Sequence, residues 1–177
     1  DIRYRTSHVI RKFVHNGGGY LGVCGGAIRA ASGLDSFPLN WYFDIAKLHY
    51  RLPTLGFLCL IDCETNFPNS TSGLTQLKIE NTSHPISFGL DSIVEEHTAG
   101  SPLFINLGDN VDIISSFNDP SINVYGYPDW ITSRFGEGKV IISSSHPELT
   151  EYFYNKTGCK FLGNSYFYGT SKYVNNI

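Results

Sequence analysis

Methionine is absent from all 177 residues and the chain begins at Asp1, so no initiator is present and the sequence reads as a fragment or a processed product. Charge is scarce as well. Charged side chains make up 16% of the chain, and thirteen basic against sixteen acidic ones leave a formal net charge of -3. No run of Lys and Arg is long enough to follow a phosphate backbone, so nucleic acid is excluded as an expected partner. Long apolar runs are missing too: nothing approaches the roughly 18 uninterrupted residues of a membrane span, and Asp1, Arg3 and Arg5 do not open a signal peptide. No membrane partner is expected, and the cytoplasm is the expected compartment. The four cysteines, Cys24, Cys59, Cys63 and Cys159, form no C-x-x-C pair and have no histidine at zinc-finger spacing. Neither a structural metal nor a cofactor is called for.

What is present is material for a core. Apolar residues make up 41% of the chain and aromatic ones 14%, and a chain of this length removes roughly 70% of its unfolded surface from water, so no disulfide staple is needed. One domain over residues 1–177 is expected. Cys59 and Cys63 lie in the apolar run Phe57-Leu58-Cys59-Leu60-Ile61-Asp62-Cys63, where free thiols act as small hydrophobes, and a disulfide between them stays open. Asn69-Ser70-Thr71, Asn81-Thr82-Ser83 and Asn155-Lys156-Thr157 fit the glycosylation acceptor pattern. In a chain so rich in Asn, Ser and Thr such matches do not establish secretion.

Strands and helices alternate along the chain. Val9, Ile10, Phe13 and Val14 have the three-to-four spacing of an amphipathic helix over His8–His15, and Asn16-Gly17-Gly18-Gly19 stops it. A short strand, Tyr20–Val23, runs into Cys24, and Gly25 to Ala31 suits a helix start. Gly33 to Pro53 is irregular and rich in aromatics, including Trp41, and reads as a covering loop. Further strands are expected over Leu55–Asp62, Gln76–Glu80, Ser92–Glu96, Leu103–Asn106 and Val111–Phe117. Ile131–Phe135 and Lys139–Ser143 flank Gly136-Glu137-Gly138, which predicts a hairpin through a three-residue connection. The apolar, β-branched second arm suits a central strand. It runs into Ser144-Ser145-His146-Pro147-Glu148, after which Glu148–Tyr154 can begin a helix, and the tail beyond Gly163 is expected to order only in part.

Two short motifs carry the chemistry. In Gly22-Val23-Cys24-Gly25-Gly26 a thiol sits on a strand-to-helix turn, with glycines on both sides where a Cβ is expected to clash. The N-terminus of the following helix favours thiolate over thiol, and the free N–H groups of Gly25 and Gly26 can hold a developing oxyanion. A buried cysteine in a glycine turn, or a phosphate loop, would be the plainer reading, but the Gly-Lys-Ser/Thr ending of such a loop is missing. The second motif is His146-Pro147-Glu148, whose outer residues fall on one side of an extended segment. There an imidazole can take a proton from a thiol while the carboxylate fixes its tautomer. Both motifs end strands expected to be parallel, the edge where open α/β sheets place their sites.

Gly22-Val23-Cys24-Gly25-Gly26 followed by Ser145-His146-Pro147-Glu148 resembles the Cys-His-Glu pattern of class I glutamine amidotransferase domains. The wording Gly17 to Ala27, with Arg134 to Val140 ahead of the histidine, is similar to the amidotransferase-like domain at the N-terminus of some biotin-protein ligases. The resemblance implies a flavodoxin-like three-layer α/β sandwich with a mostly parallel central sheet, whose first strands precede this chain. It also implies Cys24 as nucleophile, His146 as general base and then acid, Glu148 as orienting carboxylate, and Gly25 and Gly26 at the oxyanion. Ile28 stands where glutamine-hydrolysing members carry Gln, four positions after the nucleophile.

The expected function is that of a cysteine-dependent amidase or amidotransferase-like hydrolase, acting on a small amide or acyl substrate through a thioester, beside a partner ligase or synthetase domain. The alternative is a binding or regulatory domain that keeps the fold without turnover. Glu95-Glu96-His97 reads first as a solvated strand end and second as pocket lining. His8, His15, His49 and His84 have no partner at ligand spacing, and Trp41 and Trp130 read as core or pocket-wall aromatics.

Overall fold

The computed structural model describes residues 2–34, 58–66, 72–152 and 156–170. Most of the aromatic segment 33–53, the sequon at Asn69, His49, Trp41 and the last seven residues lie outside them. Helix α1 (Ile2–His15) begins earlier than the apolar spacing alone predicts. It turns Ser7 and Val14 inward and leaves Val9 and Phe13 exposed. The chain continues through β1 (Gly19–Val23), α2 (Gly25–Ala30), β2 (Ala31–Leu34), β3 (Ile61–Asn66), β4 (Ser72–Ile79), β5 (Ile93–Ala99), β6 (Leu103–Ile105), β7 (Asp112–Phe117), β8 (Pro128–Phe135), β9 (Gly138–Ser143) and α3 (Lys156–Thr170).

A six-stranded sheet has the order β1-β9-β8-β7-β4-β5, and a smaller one has the order β2-β3-β6. The expected mostly parallel sheet is not what forms. In the large sheet only β1 and β9 run parallel, while the β9–β8, β8–β7, β7–β4 and β4–β5 pairs are antiparallel. Connection length accounts for two of these directions. The two-residue turn between β8 and β9 forces that pair antiparallel, whereas β1 and β9, separated by most of the chain, have the dozen or more residues that a parallel crossover needs.

β9 is buried along its whole length. Val140 and Ile142 belong to one apolar cluster, with Val14, Ala27, Ala30 and Phe104, while Ile141 belongs to a second, with Leu77, Ile114 and Trp130. Successive side chains face opposite sides of the sheet, so an unbroken apolar run is what a strand covered on both faces requires.

The β8–β9 hairpin forms with a tighter connection than expected. Phe135 pairs with Gly138, which leaves a two-residue turn at Gly136-Glu137, and Gly136 takes φ +61° at its first position. A glycine there is what the primed two-residue turn demands. Part of the tail is helical: α3 runs through Gly163 to Thr170. Its order comes from tertiary contacts. Lys139 Nζ donates to the Tyr168 carbonyl at 2.7 Å and lies 4.3 Å from the Tyr168 ring centroid. Gly19 and Gly169 meet so closely that a Cβ on Gly19 would stand 2.6 Å from the Gly169 carbonyl oxygen.

Candidate active site

Cys24 is the first residue beyond β1. Its N–H donates to the Ser143 carbonyl at 2.9 Å, and its own carbonyl receives the Ile28 N–H at 3.0 Å, opening α2. Between these two bonds the backbone must turn sharply, and Cys24 does so at φ 47°, ψ -106°. A side chain at positive φ is strained by about 1–3 kcal/mol, and such strain persists only where its surroundings enforce it.

The enforcing glycine is Gly22, where a Cβ would lie 2.7 Å from the carbonyl carbon and oxygen of Gly26. The clash expected on the other flank is absent, because a Cβ on Gly25 would meet nothing within 4 Å and one on Gly26 only the Tyr20 hydroxyl at 3.9 Å. That hydroxyl donates to the Gly26 carbonyl at 2.8 Å, tying α2 back to β1.

The thiol of half-buried Cys24 is not pre-ionised. Burial raises its pKa, a hydrogen bond from the Gly25 N–H lowers it, and the charge of Glu148 raises it again. The Gly25 N–H at the start of α2 favours thiolate, as expected, but the desolvation that comes with burial outweighs it.

His146 is placed by the segment that leaves β9. The Ser144 N–H donates to the Asp129 carbonyl at 2.9 Å and the His146 N–H to the His97 carbonyl at 2.7 Å. The Asp129 carboxylate receives the Ser145 N–H at 2.8 Å and the Ser145 hydroxyl at 3.0 Å. His146 Nδ1 then lies 2.6 Å from Glu148 Oε1, and Nε2 is buried with no hydrogen-bond partner among the described residues. Sequence spacing predicted the pair, but for a different backbone. Pro147 opens a 3-10 turn (Pro147–Tyr152), and the Leu149 N–H closes back on the His146 carbonyl at 3.1 Å, so the two side chains meet across a bend instead of along a strand.

Val23 and Ser143 are register partners in the parallel pair, so Cys24 and the 144–148 segment leave the same end of the sheet. Glu148 is near enough for its charge to act on the thiol. Cys24 Sγ makes no hydrogen bond to Nε2. Cys59 and Cys63 are not joined in a disulfide, and burial pushes Cys63 up to about 12. Trp130 is a core aromatic at 0% exposure. Among the described residues no group of three or more His, Cys, Asp or Glu stands ready to hold a metal ion, and no helix is long and apolar enough to cross a membrane.

Two carboxyls near this segment were not anticipated. Glu96 is fully buried, where a solvated strand end was expected, and Asp129 is also at 0% exposure. Burial pushes Asp129 up to about 7 against its serine donors, and burial plus the charges of Asp129 and Glu148 pushes Glu96 up to about 9. The signal was present as phase: Glu96 alternates with Val94 and Thr98 on the inward side of β5, and Asp129 sits inside an apolar strand beside Trp130.

No protein-family profile matches the chain, and no curated protein matches it in sequence. Solved structures do match in shape. A glutamine amidotransferase aligns with TM-score 0.58 and 22% identity over 90% of this chain and 67% of its own. A putative GMP synthase component from Thermoplasma acidophilum aligns with TM-score 0.53 and 16% identity, over 92% of this chain and 65% of its own. PurLQS from Thermotoga maritima aligns with TM-score 0.56 and 15% identity, over 92% and 67%. The chain thus spans about two thirds of the length of these structures. The α/β fold built here around Cys24 and His146 is similar in shape to that of these glutamine amidotransferase structures.

Proposed function

We propose that the chain is a cysteine-dependent amidase or amidotransferase-like hydrolase in which Cys24, His146 and Glu148 form the reacting triad. The observation that carries this reading is an imidazole clamped through Nδ1 at 2.6 Å by a carboxylate while its Nε2 stays unpartnered, on the sheet end where Cys24 takes its strained turn. Because the resting thiol is protonated, the base has to act during the attack. The Sγ proton passes to Nε2 as sulfur bonds to the acyl carbon of an amide, and the carbonyl electrons move onto oxygen, facing the Gly25 N–H. Collapse breaks the C–N bond, and the leaving amine takes the proton from Nε2. Water then attacks the thioester and gives its proton to Nε2, and as the C–S bond breaks Nε2 returns that proton to sulfur, restoring the thiol. Glu148 holds imidazolium throughout.

A small amide is the substrate class, with glutamine in question because Ile28 stands four residues after Cys24. A partner synthetase is supported by the GMP synthase and PurLQS likenesses, and kinship with the biotin-protein ligase domain by motif wording alone. Incubation with glutamine and an amide library, followed by intact mass spectrometry, should trap an acyl adduct on Cys24. The Cys24→Ser and His146→Ala variants should lose both adduct and turnover. A second reading, a binding domain without turnover, is favoured by the raised thiol and its missing hydrogen bond to Nε2. No adduct from any amide, with unchanged ligand binding in Cys24→Ser, would overturn the first reading in favour of the second.

A further inference from the structure

Beneath the 144–148 segment lies a buried carboxyl that the proposed mechanism does not use. Glu96 is at 0% exposure, and neither of its carboxyl oxygens has a hydrogen-bond partner among the described residues. Thr75, its register partner on β4, is 5% exposed and its hydroxyl is likewise unpartnered. The next residue on β5, His97, supplies the carbonyl that receives the His146 N–H. Among the described residues the charges that act on Glu96 are carboxylates: Asp129 from β8 and Glu148 from the turn after β9. Lys78 on β4 and Glu80 just beyond it pair with each other at 2.8 Å on the exposed side. Lys160 of α3 donates instead to the Gly89 carbonyl, and Glu95 points outward from β5.

With Asp129 and Glu148 both acting on Glu96, the three carboxyls cannot all be ionised, least of all where two are sealed from water. We infer that Glu96 is a positioning residue of the candidate site: held as an uncharged acid under β5, it leaves Glu148 free to be the anion that clamps His146. Ionising Glu96 would set a second negative charge, itself sealed from water, within reach of half-exposed Glu148, loosening the strand contact at His97 and the clamp together. This rests on the reading of His146 and Glu148 as a working pair, but not on any reaction of Cys24.

The test reads His146 and not turnover. In isotope-labelled protein followed by NMR from pH 5 to 10, the His146 ring resonances should show an inflection near pH 9, where Glu96 loses its proton. Glu96→Gln, which keeps shape and removes the charge, should abolish that inflection while leaving the His146 ring resonances below pH 8 where they are in the unaltered chain. If the variant does not fold, the infrared C=O stretch of a protonated carboxyl in the wild-type chain serves instead: it should persist at pH 8 and vanish by pH 10. An inflection that survives Glu96→Gln, or the absence of any protonated carboxyl at pH 8, would overturn the inference. Failure of Cys24 to form an acyl adduct would leave both readouts untouched, so the two proposals fail separately.

Discussion

At the scale of single residues, Cys24 and its neighbours show how far local sequence reaches. The glycine-flanked thiol announced a sharp turn, and the chain makes one at φ 47°. Which glycine the turn requires could not be told, because that depends on where the first turn of α2 falls back against β1. Gly22→Ala should therefore cost about 1–3 kcal/mol by forcing a Cβ into the Gly26 backbone, and Gly25→Ala should stay within about 0.5 kcal/mol. Urea denaturation of the two variants gives the comparison directly. The thiol makes a second prediction. With burial and Glu148 both opposing ionisation, iodoacetamide should modify resting Cys24 slowly at pH 7, with a midpoint above the usual thiol value of about 8.5. Glu148→Gln should move the midpoint down, since the opposing charge is gone. A midpoint near 7 in the unaltered chain would mean that another group activates the sulfur.

At the scale of elements, periodicity located most of the pieces and missed their directions. The spacing of Val9, Ile10, Phe13 and Val14 marked α1, and the apolar run Val140-Ile141-Ile142 marked a strand buried on both faces. The hairpin was legible because glycine flanked it, yet its loop is one residue shorter than read. Packing explains why: the Glu137 N–H donates to the His15 carbonyl at 2.9 Å, and a Cβ on Gly138 would stand 2.0 Å from the Val14 carbonyl oxygen. The end of α1 thus presses the hairpin into register. Gly138→Ala should cost about 3 kcal/mol or more, since the obstacle is backbone. Glu137→Ala, on an exposed side chain of the same turn, should be silent within about 0.5 kcal/mol. Thermal melts of both variants check this, and an intact melt in Gly138→Ala would show that α1 does not clamp the turn.

At the scale of the whole molecule, the buried acids set the response to pH. Asp129 and Glu96 have folded pKa values raised to about 7 and about 9, so the native chain holds protons that the unfolded chain releases near pH 4. Their contribution is complete below that pH and is lost as pH rises, from both groups up to about 7 and from Glu96 alone up to about 9, on the order of 1 kcal/mol per pH unit for each. Chemical denaturation between pH 5 and 9 should show stability falling with pH, and Glu96→Gln should flatten the part above pH 7. Stability that rises over this range would mean that both carboxyls are ionised in the fold. The amino-acid order alone determined where the chain bends, which segments are apolar on one face or two, and that a thiol, an imidazole and a carboxylate follow strand ends, because glycine, proline and side-chain period act within a few residues. Strand direction, the clamp that leaves Nε2 free, and the protonation of Cys24, Asp129 and Glu96 were decided only by the tertiary structure. Each depends on groups brought from distant parts of the chain and on the water they displace.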